Sequence, residues 1–175
     1  MTLSGPTAVG LDVLRDLAFS PDGTILATAE GTSTTLWDVA TRTKAATLTD
    51  TEIDPVGVVS LAFSPDGTIL ACGNLHATIS LWDTVTHSGI ATLVDPVGYT
   101  TTPRKGVDSI AFSPDGRALA GSTGDGLILL WGLTTRKLTT RFDGQTEVSG
   151  TVAYSPDGMM LAATLDHRLG LWRLG

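Results

Sequence analysis

The chain has 175 residues, enough for one domain with a hydrophobic core, and 42% are hydrophobic against 17% charged, which excludes general disorder. Its net charge is −7 and its cations are scattered, adjacent only at Arg104-Lys105 and Arg136-Lys137, so no nucleic-acid partner is expected. No apolar run approaches the roughly 18–20 residues that span a bilayer, and the first six residues carry neither part of a secretory leader, so no membrane partner is expected either.

Residues 1–10 are short and small. Thr2-Leu3-Ser4-Gly5 aligns with Thr47-Leu48-Thr49-Asp50 and Thr92-Leu93-Val94-Asp95 further on, so this segment is expected to be an outer strand. Four repeats follow, at 11–50, 51–95, 96–143 and 144–175.

The first repeat opens with Leu17-Ala18-Phe19-Ser20-Pro21-Asp22-Gly23 and a second apolar run, Ile25-Leu26-Ala27. This predicts a β-hairpin in which Pro presets φ, Asp bonds its own downstream backbone and Gly23 takes the left-handed conformation. The same stretch returns at Leu61 to Gly67, Ile110 to Gly116 and Val152 to Gly158. A third strand is predicted at Thr34–Asp38, Thr78–Asp83, Leu127–Gly132 and Leu169–Arg173, β-branched, apolar and aromatic throughout. A fourth is predicted at Ala45–Thr49, Ile90–Val94 and Leu138–Phe142. In the fourth repeat Val148 stands one residue out of step with Val58, which predicts a bulge there.

Trp37, Trp82, Trp131 and Trp172 are separated by 45, 49 and 41 residues, and a period near 40–45 with four strands per unit marks propeller blades. With Phe-Ser-Pro-Asp-Gly-x-x-Leu-Ala followed by x-Leu-Trp-Asp, the chain resembles the WD-repeat (Trp-Asp repeat) β-propeller family over nearly its whole length. The fold class expected is therefore all-β, a propeller of four-stranded antiparallel blades.

The departures are specific. The Trp-Asp pair survives at Trp37-Asp38 and Trp82-Asp83 but becomes Trp131-Gly132 and Trp172-Arg173. The Gly-His pair that the resemblance implies before the innermost strand is missing from every repeat. The resemblance implies a structural Asp six residues before each Trp; Gly31, His76, Asp125 and Asp166 stand there, so only the last two repeats keep it. The blades are accordingly expected to rely on apolar packing.

Four repeats per chain pose a closure problem. The family's rings usually hold seven blades, with eight also familiar; four closed alone need steep angles, and an open half-ring leaves apolar faces bare. The reading preferred is a two-fold homodimer of eight blades, with residues 1–5 completing the last blade of a partner copy. A fragment of a longer propeller and a four-bladed monomer, closed by its own residues 1–10, are the other two.

Residues that could carry chemistry are sparse. Each Trp sits at a fixed place in an apolar strand, which is a packing role. His76, His87 and His167 lack ligand spacing, and the alternating acids of 50–54 lack the Gly and distal Glu of a calcium loop, so no metal and no cofactor are expected. Cys72, the lone cysteine, reads as a small buried hydrophobe, and a reducing cytoplasm fits it best. No Ser-His-Asp, Cys-His or paired-carboxylate arrangement stands out.

The longest connection, from Asp95 to Gly106, carries Tyr99, Arg104 and Lys105, residue types suited to binding hot spots. The resemblance adds the loops before the third strand: Glu30, Asn74, His76, Thr123 and Leu165. The function expected is a non-enzymatic protein-interaction scaffold. The alternative is an enzyme or small-ligand binder using the central channel, where Arg15, Asp16 and Asp108 are the ionisable residues near the starts of the innermost strands.

Overall fold

The computed structural model describes residues 13–49, 57–96, 106–143, 150–165 and 168–174. Fifteen strands occur among them. The first sheet is a meander of β1 (Leu14–Phe19), β2 (Ile25–Glu30), β3 (Ser33–Asp38) and β4 (Thr43–Thr49). The second repeats it with β5 (Val58–Phe63), β6 (Ile69–Asn74), β7 (Thr78–Asp83) and β8 (Gly89–Val94). The third does so with β9 (Val107–Phe112), β10 (Ala118–Thr123), β11 (Leu127–Gly132) and β12 (Lys137–Asp143). The fourth sheet has three described strands: β13 (Val152–Tyr154), β14 (Met160–Leu165) and β15 (Arg168–Arg173).

The predicted hairpin turns form, through a device repeated four times. Gly23, Gly67, Gly116 and Gly158 have φ of 72°, 75°, 69° and 73°, which a side chain would resist. Asp22 Oδ1 accepts from the Thr24 amide (3.0 Å) and from the Ser20 hydroxyl (2.6 Å), while Ser20 Oγ accepts from the Ile25 amide (2.9 Å). Ser64-Asp66, Ser113-Asp115 and Ser155-Asp157 copy the triangle. These contacts hold all four carboxyls below the usual 3.8, the serine hydroxyl being the largest cause in each.

The turn after each Trp strand also repeats. Arg42, His87 and Arg136 take φ of 60°, 57° and 56°, and their amides donate back to the carbonyls of Asp38, Asp83 and Gly132. The acid of the Trp-Asp pair caps this turn: Asp38 Oδ1 accepts from Thr41 N and Asp83 Oδ1 from Thr86 N, each at 2.7 Å. At Gly132 no carboxylate is available, and the Thr135 hydroxyl donates to the Gly132 carbonyl instead (3.3 Å).

The core lies between sheets. Leu36, Ala27 and Leu48 of the first blade meet Leu61, Leu70 and Cys72 of the second. Leu81, Ile79 and Leu93 meet Ile110, Leu119 and Trp131 of the third. Leu130 and Ile128 meet Val152 and Leu161 of the fourth, where Phe142 and Trp172 also stack with ring centroids 5.2 Å apart. Each blade thus turns one face back and one face forward, with β1, β5, β9 and β13 side by side.

Bulges recur where an innermost strand begins, at Leu14/Asp16, Val58/Ser60 and opposite Ser122/Thr123. The bulge expected at Val148 lies outside the described residues, as do residues 1–10.

Candidate functional site: two open blade faces

The sequence-selected binding residues separate into three groups. Tyr99, Arg104 and Lys105 lie outside the described residues, as does the structural candidate Asp166; Leu165 ends β14, and its side chain is likewise outside them. Asn74 and Thr123 are buried and close turns in their own blades. Asn74 Oδ1 accepts from the His76 amide (2.9 Å) and its Nδ2 donates to Thr78 Oγ1. The Thr123 hydroxyl donates to Asp125 Oδ1 (2.5 Å) and accepts from the Leu127 amide (3.2 Å). His76 is exposed at the tip of its turn, and Glu30 is half-buried.

The blades are expected to rely on apolar packing, and the first blade adds a polar link to it. Trp37 Nε1 donates to Thr28 Oγ1 (3.0 Å), whose hydroxyl donates to Glu30 Oε1 (2.9 Å). A Thr and a Glu thus build a small network of their own, satisfying the indole without the missing His and Asp.

Along the innermost strands, Asp16 spends both oxygens on backbone. Oδ1 accepts from Leu17 N (2.8 Å) and Oδ2 from Leu61 N of the next blade (2.7 Å), so this acid is an inter-blade fastener. Among the described residues no three His, Cys, Asp or Glu side chains gather as a metal site requires, and no helix is long and apolar enough to cross a membrane.

A cavity of about 750 Å³ lies between the third and fourth blades, walled by Leu130, Phe142 and Leu174 and rimmed by Arg117 and Arg173. Tyr154, on its wall, stands where the other repeats have Phe19, Phe63 and Phe112. Its hydroxyl is buried without a hydrogen-bond partner among the described residues. Burial, with the Asp115 charge second, pushes this phenol up to about 12, so it stays protonated and able only to donate or accept as a neutral group.

The largest departure from satisfied packing is at the two ends of the blade stack. Ile128 and Leu130, facing forward from the third blade, are 1% and 6% exposed; Leu169 and Leu171, at the same positions in the fourth, are 64% and 60% exposed. On the backward face of the first blade Leu17 and Phe19 are 54% and 56% exposed, where Leu61 and Ile110 are buried. Neither signal is visible residue by residue in the sequence, because these leucines are like their buried counterparts.

Antiparallel meander sheets set side by side, innermost strand against innermost strand, are blades of the β-propeller type. The WD domain, G-beta repeat family matches residues 1–38, 47–83 and 96–132, more than half of the chain, and the protein belongs to that family. The fourth repeat lies outside the matched segments. No curated protein matches the chain.

Proposed function

We propose that this WD-repeat protein is a non-enzymatic protein-interaction scaffold that assembles its working surface from two copies, whose open blade faces join in an eight-bladed ring. The observation that carries the reading is the exposure of Leu169 and Leu171 against the burial of Ile128 and Leu130. Contiguous apolar faces of this kind are rare on free soluble chains and are covered by a partner. Four repeats per copy give eight blades, within the range that propellers adopt. Residues 1–5 would add to β15 of the other copy as its fourth strand, by strand addition to an open edge.

The assembled ring would present the loops before each third strand, with His76 and Glu30, and the 95–106 connection, with Tyr99, Arg104 and Lys105, to protein partners. Light scattering tests the assembly directly. A mass near twice 18.2 kDa that falls when residues 1–5 are removed supports it, and a monodisperse single chain refutes it. The docking surface is tested afterwards, by the loss of a captured partner on replacing Tyr99 and Arg104 with Ala.

A further inference from the structure

Three separate rows of contacts run from blade to blade, and all three are left unfinished at the same two faces. The first is apolar. The residue before each Trp shares a cluster with the residue two before the aromatic of the next blade: Leu36 with Leu61, Leu81 with Ile110, Leu130 with Val152. The series leaves Leu171 at one end and Leu17 at the other, and both are exposed.

The second row runs along the hairpin turns. A Cβ placed on Gly67 would sit 3.5 Å from Pro21 Cδ, one on Gly116 3.7 Å from Pro65, and one on Gly158 3.6 Å from Pro114. Each turn glycine therefore rests on the turn proline of the blade before it. Gly23 has nothing within 4 Å, and Pro156 is the proline that continues the series.

The third row is polar and lies on the innermost strands. The side chain three residues before the aromatic reaches forward to the next blade's backbone. Asp16 accepts from Leu61 N (2.7 Å), Ser109 accepts from Val152 N (3.2 Å), and Ser60 donates to the Val107 carbonyl (2.7 Å). Thr151 holds this position in the fourth blade, and Leu17 N, at present bonded to its own Asp16, is the group it would meet.

We infer that the junction between two copies repeats the internal blade-to-blade register residue for residue: Leu171 on Leu17 of the second copy, Pro156 on its Gly23, and Thr151 against the backbone of its Leu17. The inference rests on the self-assembly reading and adds the contact map. A partner of unrelated shape would have to match the innermost strand, the middle of the blade and the turn edge together. A second copy of this chain carries all three complements already, because they are the same repeat.

The test places a photo-crosslinking benzoylphenylalanine at Leu171 in one preparation and at Thr151 in another. Each is mixed with ¹⁵N-labelled unmodified chain, confirmed at dimer mass, irradiated and digested with trypsin. Cleavage after Arg15 and Arg42 leaves Leu17, Phe19, Gly23 and Leu26 in the single peptide 16–42. The labelled form of that peptide is the expected dominant adduct from both positions. Adducts on 169–173 instead would mean β15 edges pair with each other, and adducts elsewhere would mean another docking surface; either result overturns the register while the dimer stands. If the unmodified chain has the mass of one copy, the self-assembly reading fails and this inference with it. Leu171→Asp is the second variant: it should reduce the unlabelled dimer to single chains while far-ultraviolet circular dichroism stays unchanged, and a retained dimer refutes the register.

Discussion

Replacing Tyr154 with Phe should stabilise the protein. Three repeats have Phe at this position, so the ring already fits, and the substitution removes only an oxygen that is buried without a partner among the described residues. A buried unsatisfied polar group costs about 1–3 kcal/mol. The ring as a whole is half-buried beside the cavity, so the lower end applies, about 1 kcal/mol. For a chain of this size that is a rise of about 2–4 °C in Tm, read by circular dichroism at fixed protomer concentration because assembly would otherwise shift it.

The pH dependence of the same substitution supplies an independent sign. The folded phenol lies near 12 and the ordinary value is 10.0, so ionisation favours the unfolded chain as pH rises from 10. The advantage of Tyr154→Phe should therefore widen between pH 10 and 12, and in the native protein the phenolate absorption of Tyr154 should develop only near the upper end. If Tyr154→Phe lowers Tm at neutral pH, the hydroxyl is hydrogen-bonded in solution and the reasoning is wrong.

Three further outcomes can be checked by denaturation and labelling. Gly73→Ala puts a Cβ 2.8 Å from the Val107 carbonyl and onto Ser60 Oγ, and should cost about 1–3 kcal/mol in urea denaturation, whereas Gly89→Ala, with its nearest atom 3.9 Å away, should be close to neutral. The turn aspartates have folded pKa values below 3.8, so their contribution is present above that pH and lost as pH falls through the folded values; Asp66→Asn should flatten the acid side of a urea-midpoint profile taken from pH 6 to 2, and an unchanged profile would contradict the assignment. Cys72, buried against Thr34, should react with an aqueous thiol reagent only as fast as the protein opens, and rapid labelling of the native state would contradict its burial.

Much of the blade was legible because its instructions are local. The Pro-Asp-Gly turns, the strand at each Trp and the outer strands fall where alternation and turn chemistry put them, within two residues. What escaped was any role decided by a neighbour. Ser20 and its counterparts receive no role in the sequence reading of the turn, yet each fastens an aspartate and an amide together. Asn74 and Thr123 read as loop residues on a docking face, yet the turn they belong to consumes their hydrogen bonds. Asp16 reads as a charge in a channel, but the amide that holds it belongs to the following blade, 45 positions away. Leu171 and Leu130 are identical letters with opposite surroundings, and only the stacking of blades separates them.

Because every described sheet is woven from one unbroken stretch of chain, the described strands pair only with their neighbours in sequence. On a ribosome, the first blade can form once Thr49 has emerged, and its forward face is then covered by the next stretch made. The same locality makes the repeat a unit that duplication or deletion of DNA can add or remove whole. On the self-assembly reading, a gained or lost repeat would change how many copies are needed to complete a circle.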